Sequence, residues 1–317
     1  MSLGVLKKAI KVLGPLLFLY ILSKADFYQI WTAFTQADLV FILAGLLATV
    51  MLPMVRSYRW VLVNRGLGLW IKPGTAFKIQ LIGNAAAFIT PGRIGMELFR
   101  FQSLIKMGSA PQKAVQSIFF DRFFDILLQL AVFGGGVCFL MKDSDRLPPY
   151  IIPLLLVFIV IGCIIQFKTK GLNRLILFAL PRKLRASIDS SLNFFSSQRK
   201  RILIISCQCL IFSLIVLAIN AARIDFFLKA LSIDVNFVYL TWCTTAIVIA
   251  NYLPISFMGI GTRDATLIYF LAQKGIILEK SVYVSSLILF SLIVLSIVGI
   301  LCYYLPAKIE NKGIDLS

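Results

Sequence analysis

The sequence predicts an all-α polytopic membrane protein with about eight membrane segments, two of them re-entrant broken helices related as an inverted repeat. Three observations carry that fold class. Apolar runs approach or exceed the ~17–25 residues that a helix needs to cross a bilayer. Examples are "IIPLLLVFIVIGCIIQF" (Ile151–Phe167), "ILIISCQCLIFSLIVLAINAA" (Ile202–Ala222) and "VYVSSLILFSLIVLSIVGILCYYL" (Val282–Leu305). The chain is 59% hydrophobic, against about 45–50% for a soluble domain. At two places Pro and Gly interrupt the apolar pattern beside charges that would each cost about 2.5–3.5 kcal/mol at a bilayer centre.

The elements follow in order. Lys7, Lys8 and Lys11 precede "VLGPLLFLYIL", and no A-x-A-like cleavage site follows. Residues 10–23 therefore read as a first membrane helix and not as a signal peptide. Further apolar elements lie near 38–55, 75–90, 117–141, 150–167, 202–222, 237–253, 263–273 and 282–305. Those at 75–90 and 263–273 are short and border a break, after Thr90 and before Thr262. With a cytoplasmic N-terminus, and with 75–106 and 237–273 each dipping in and returning, 24 Lys and Arg fall on the cytoplasmic side and 8 on the other. The bias predicts an N-in, C-in protein of a prokaryotic cytoplasmic membrane. The longest polar stretch, 168–201, repeats Leu184, Ile188, Leu192 and Phe195 at helical intervals. It reads as a basic amphipathic helix at the cytoplasmic surface, which orients the chain or docks anionic lipid. The whole chain, 1–317, reads as one integral membrane domain with its core at about 5–306.

Composition also excludes. The chain has no histidine, which removes the commonest general base and metal ligand. No G-x-x-x-x-G-K-[ST] motif occurs, so no nucleotide-driven pump is encoded in this way. The six cysteines lie in apolar runs without C-x-x-C spacing and read as small apolar packers. The net charge of +18 is explained by positive loops between spans and attraction to anionic headgroups, and not by nucleic acid. Asp143 and Asp145 form a D-x-D pair, but in a short loop on the outer side. No catalytic residue, cofactor or metal is predicted.

The candidate site lies at the two breaks. "GNAAAFITPGRIGMELFR" (Gly83–Arg100) and "NYLPISFMGIGTRDATLIYF" (Asn251–Phe270) share a layout of Asn, Pro, a Gly-containing stretch, Arg and an acid. In the first these are Asn84, Pro91, Gly92, Arg93, Gly95 and Glu97. In the second they are Asn251, Pro254, Gly259, Gly261, Arg263 and Asp264. Irregular backbone at membrane depth is tolerated where it is buried in protein or lines a wet cavity, so both breaks are expected to face an internal cavity. Arg93, Glu97 and Arg100 fall on one helix face. Glu97 can pair with either arginine, leaving the other for an anion such as phosphate, which suits the guanidinium fork. Asp121 and Asp125 share a face at i, i+4, with Arg122 in reach of Asp125. The two carboxylates are an acid/base pair, a cation site or partners for the arginines of the first break. Arg56 and Arg59, beside Tyr58 and Trp60, are an interfacial anchor or contacts to headgroup phosphate.

Taken together, "RSYRWVLVNRGLG" (Arg56–Gly68), Gly83–Arg100, "DRFFD" (Asp121–Asp125) and "NYLPISFMGIGTRDA" (Asn251–Ala265) resemble the integral membrane region of lysylphosphatidylglycerol synthases and its stand-alone relatives. The resemblance runs over roughly residues 5–306. It departs in the last motif, where the family usually has a Gly-Gly pair and a Glu and this chain has Met258-Gly259 and Asp264. The soluble aminoacyl-transferase domain of the full-length synthases is not expected here. The resemblance implies a flippase-like translocator of an anionic or phosphate-containing lipid: an aminoacylated phospholipid, a polyprenyl-linked glycolipid or similar. The alternative is a membrane component of a lipid-modifying system, as enzyme or scaffold subunit. Expected partners are membrane lipids and a separate lipid-modifying enzyme, with self-association left open.

Overall fold

The computed structural model describes residues 3–90, 94–140, 199–252, 256 and 259–304. The break residues Pro91, Gly92, Arg93 and Pro254, the expected span at 150–167, the Asp143–Asp145 pair and nearly all of the stretch 168–201 lie outside the described residues. Ten helices make up the described chain: α1 (Leu3–Lys24), α2 (Phe27–Gln36), α3 (Leu39–Gly66), α4 (Pro73–Ile89), α5 (Ile94–Lys106), α6 (Pro111–Leu140), α7 (Arg199–Lys229), α8 (Phe237–Tyr252), α9 (Thr262–Ala272) and α10 (Leu278–Tyr304). Their starts are written locally. Asp26, Asp38 and Asn236 accept from the backbone N–H two residues on, at 2.9, 2.8 and 2.8 Å, and Pro73 opens α4, where its missing N–H costs nothing.

Among the described residues, three helices are long and apolar enough to cross a membrane: Leu39–Gly66, Ile204–Lys229 and Leu278–Tyr304. Helix α6 has the length but carries Asp121, Arg122 and Asp125. Large apolar side chains point outward from the long helices, among them Leu43, Leu47 and Met54 on α3 and Ile297 and Leu301 on α10. A soluble protein seldom exposes such faces, and a lipid-facing one requires them. Helix α2 was not among the expected elements. It is a short helix whose Phe27, Tyr28 and Trp31 stay exposed while Ala33 is buried.

The frame is the antiparallel pair of α3 and α7. Glycines let the two approach at both ends. A Cβ on Gly45 would sit 2.3 Å from the Phe227 ring, and one on Gly66 would sit 2.0 Å from Ile205. Two helical hairpins pack on this frame. In the first, α4 and α5 run antiparallel, with Gly83 against Met96 and Gly95 against the Ala86 carbonyl. In the second, α8 and α9 do the same, with the Tyr239 hydroxyl donating to the Phe270 carbonyl at 2.7 Å.

The hairpins enter from opposite ends of the frame. The open end of the first packs with the C-terminal half of α3, in a core of Trp60, Val61, Ile79 and Leu104. The open end of the second packs with the C-terminal end of α7 and the N-terminal half of α10, in a core of Phe227, Leu228, Leu240, Phe270 and Tyr283, with Ile42 and Leu46 of α3 beside it. Both tips therefore lie near the middle of the bundle. Helix α10 spans the two ends: Ser285 contacts α9, and Gly299 lies against the Leu81 carbonyl of α4.

Candidate functional site

Two polar clusters lie in the middle of this apolar bundle. The first joins α3, α5 and α6. Asp121, 1% exposed, accepts from Arg59 Nε at 2.7 Å and from Arg100 Nη1 at 2.8 Å. Arg59 also donates from Nη1 to Asp125 at 2.9 Å and to the Ser213 hydroxyl of α7 at 2.6 Å. Arg100 donates to Gln80 of α4, and its guanidinium lies 4.9 Å from the centre of the Trp60 ring. Arg122 pairs with Glu97 through Nε at 2.5 Å. Three arginines thus face three carboxylates, and charge cancels within the cluster. Burial of unpaired charge would cost several kcal/mol per ion, which is why the partners converge from separate helices. Trp60 is held from behind: its Nε1 donates to Ser117 at 2.9 Å, and Ser117 donates to Asn64 at 2.9 Å.

The cluster reaches the second hairpin as well. Tyr252, the last residue of α8, donates to Asp125 Oδ2 at 3.0 Å. A continuous path of charge-assisted contacts therefore runs from Arg100 on the first hairpin, through Asp121, Arg59 and Asp125, to the end of α8 on the second.

The second cluster lines a cavity between the hairpin tips. Its polar walls are Thr49 and Arg56 of α3, Asn84 of α4, Asn220 and Arg223 of α7, Thr244 and Asn251 of α8, and Arg263 of α9. The apolar walls include Leu52, Pro53, Leu292 and Leu295. Pro53 has no N–H to give the Thr49 carbonyl, so α3 leaves that carbonyl without its usual helical partner beside the cavity. The space open to the centre of a water-sized sphere is about 60 Å³, room for about four waters or a small anion, since one water needs about 10–15 Å³ by this measure. Arg263 is aimed by its neighbour. Asp264 Oδ1 accepts from Arg263 Nε at 2.8 Å and Nη2 at 2.5 Å, and from Ser285 at 2.5 Å, while Oδ2 accepts from the Gly261 N–H at 2.9 Å. Arg263 Nη1 is buried with no hydrogen-bond partner, as are Asn84 Oδ1 and Asn251 Oδ1. Arg56 makes no ion pair among the described residues.

Glycine is required at the second tip. Gly259 and Gly261 have φ of 81° and 86°. A Cβ would lie 1.8 Å from Asn251 Oδ1 at the first and 1.9 Å from the Gly14 carbonyl of α1 at the second. At the first tip Gly95 is helical and close-packed, its N–H bound by the Thr90 hydroxyl at 2.7 Å.

The sequence-predicted residues thus divide between two places. Arg56, Asn84, Asn251 and Arg263 meet at the cavity. Arg59, Glu97, Arg100, Asp121 and Asp125 form the ion-pair cluster. Asp264 sits behind Arg263 as its support. Arg93 lies outside the described residues. Two expected pairings differ. Arg122 pairs with Glu97 and not with Asp125, because Asp121 and Asp125 face α3 while Arg122, the next residue round the helix, faces α5. Arg100 is not a free cation, since Asp121, Gln80 and Trp60 hold it. Residues that sequence reasoning passed over are Gln80, Ser213, Asn220, Thr49, Thr244, Tyr252 and, above all, Arg223. A polar side chain inside an apolar helical run was the available signal for Asn220 and Arg223.

A model of the lysylphosphatidylglycerol synthase TM region family matches residues 7–305. The match covers nearly the whole chain, and the protein belongs to this family. It is an integral membrane protein, in keeping with its apolar helices. No curated protein matches the chain.

Proposed function

From that family as premise, we propose that the protein is a lipid flippase that takes the phosphate of an anionic lipid into the central cavity and passes the headgroup across the cytoplasmic membrane. The observation that carries this reading is the cavity itself. It lies between the tips of two hairpins that enter from opposite ends, and three guanidinium groups line it without a carboxylate. In a bilayer the hairpins would be re-entrant segments, and a site shared by their tips would be reachable from either side as one hairpin or the other moves. A cavity of this size holds a headgroup phosphate and no acyl chain, so the chains would remain in the lipid beside the bundle.

The ion-pair cluster has a supporting role in this account. It neutralises the charges of α5 and α6 and ties the first hairpin to the second through Tyr252. The chain would sit N-in and C-in as one domain, with translocation passive, ion-coupled or driven by a partner.

The test is a leaflet assay in proteoliposomes with fluorescent phosphatidylglycerol and dithionite quenching. Arg56→Gln is the variant of choice, because no carboxylate is left unpaired when Arg56 goes. The expected result is translocation above protein-free vesicles, reduced tenfold or more by Arg56→Gln at unchanged melting temperature. Equal rates with and without protein contradict the proposal.

A further inference from the structure

We infer that α2 is a membrane-surface helix whose aromatic side beds in the lipid interface, held there by aromatic partition and not by attraction to charged headgroups. Its residues, "FYQIWTAFTQ", carry no charge. Phe27, Tyr28, Trp31 and Phe34 are nonetheless 55–75% exposed. At about 100° per residue the side chains sort to four sides of the helix. Phe27, Trp31 and Phe34 fall within about 60° of one another on one side. Gln29, Thr32 and Gln36 fall opposite them. On one flank between the two, Ile30, Ala33 and Ala37 turn to the bundle, where they pack with the core of the second hairpin. Tyr28 and Thr35 take the other flank, away from the protein. A helix lying in the plane of a bilayer surface needs this order: apolar side down, polar side up, protein on one flank, and side chains of mixed character on the other.

The level of α2 in the bundle agrees with that placement. The Asp38 N–H, just after α2, donates to the Ala230 carbonyl at 2.9 Å, just after the end of α7. Lys229 and Asp234 lie at this end, and Lys274, Glu279 and Lys280 lie in and beside the turn from α9 to α10. These charges mark the rim of the apolar bundle. Directly after Asp38, Leu39, Val40, Leu43 and Leu47 of α3 are exposed and apolar, as a lipid-facing flank requires. The aromatic side of α2 thus stands where the charged rim meets that flank, the level at which Trp and Tyr collect in membrane proteins. The rings are fixed on the bundle: Trp31 stacks on Phe34 at 5.8 Å, and Phe34 meets Tyr283 of α10 edge-on at 6.4 Å. Asp26 and Asp38 flank α2 at its two ends. Two carboxylates beside a chargeless helix give anionic headgroups nothing to bind, so ring burial is the attraction that remains.

The experiment reconstitutes the full chain in phosphatidylcholine vesicles and compares the tryptophan fluorescence of the parent with that of Trp31→Phe. The difference isolates Trp31 from Trp60, Trp70 and Trp242. The quenchers are lipid bromine near the headgroup end of the acyl chain, lipid bromine near the chain tail, and iodide in the water. The Trp31 signal is expected to be quenched at least twofold more by shallow bromine than by deep bromine, and little by iodide. The same result is expected when half of the lipid is phosphatidylglycerol, and Trp31→Phe should melt with the parent. Quenching by iodide alone puts the aromatic side in water and overturns the inference. Strongest quenching by deep bromine puts α2 inside the hydrocarbon and overturns it too. Quenching by none of the three means that protein covers the face, a second copy if native mass spectrometry shows a dimer that Trp31→Gln dissolves, and also overturns it. Shallow quenching seen only with phosphatidylglycerol overturns the independence from charge. None of these outcomes bears on the cavity.

Discussion

Asp121→Asn is the most informative perturbation of the ion-pair cluster. The carboxylate accepts two charge-assisted hydrogen bonds, at 2.7 and 2.8 Å, from guanidinium groups that are themselves 1% exposed. Hydrogen bonds to charged groups contribute roughly 1.5–3 kcal/mol each, and removing one partner of a buried pair costs about 3–5 kcal/mol, because the other charge stays buried. The amide keeps the shape of the site but leaves Arg59 and Arg100 sharing one carboxylate fewer. A loss near 4 kcal/mol is expected, and at about 2–4 °C per kcal/mol for larger domains this is a fall of about 8–16 °C in melting temperature. Thermal unfolding in detergent, followed by tryptophan fluorescence, measures it, with Trp60 beside Arg100 as a built-in reporter. Glu97→Gln is the comparison: the side chains of Arg122 and Glu97 are 17% and 25% exposed, so loss of this partly buried pair should cost less than loss of Asp121, about 1.5–3 kcal/mol. If Asp121→Asn melts within 2 °C of the parent, or Glu97→Gln costs more, the cluster is not the buried, charge-balanced unit described.

Three further outcomes are expected. Gly261→Ala should cost well over the ~1–2 kcal/mol of a left-handed non-glycine residue, since its Cβ meets the Gly14 carbonyl, whereas Gly275→Ala, with φ of 73° and open space around it, should cost only about 1 kcal/mol; melting temperatures of the pair check this. Gly95→Ala should spread α4 from α5, because its Cβ would lie 2.4 Å from the Ala86 carbonyl; faster amide exchange confined to that hairpin would show it. Tyr252→Phe removes one hydrogen bond to Asp125 and should cost about 1–2 kcal/mol in stability while lowering the translocation rate severalfold, if the link between hairpins coordinates their movement; an unchanged rate in the leaflet assay contradicts that role.

The long apolar helices were legible because apolar run length is a local signal, and the interruptions between the shorter helices because Pro and Gly are another. The frame helices α3, α7 and α10 announce themselves by hydropathy, and the hairpin breaks by Asn, Gly and a charge in one short stretch. The glycines at 259 and 261 were marked as breaks, and their positive φ gives the reason. What local rules misjudged was the direction of side chains between helices. Arg122 was paired with Asp125 by spacing along one helix, yet α5 offers Glu97 on the face where Arg122 points. Arg223 was passed over because it follows an apolar run, but α7 continues for six residues beyond it to Lys229, which draws Arg223 back towards the cavity. For Arg100 the sequence left open a free anion ligand or a partner of the α6 carboxylates; Asp121 and Gln80, 21 and 20 residues away in sequence, hold it, so the pairing reading is the one the structure bears out. Helix α2 went unseen because ten residues with one buried position carry no span-length signal.

The central claim is that the arginine-lined cavity holds the phosphate of a lipid. Native mass spectrometry of the protein with its retained lipid tests it most directly. The account predicts a bound anionic phospholipid on the parent chain that is lost from Arg56→Gln while the protein keeps its melting temperature. A phosphate-free lipid on the parent, or the same adduct held equally by Arg56→Gln, would contradict it.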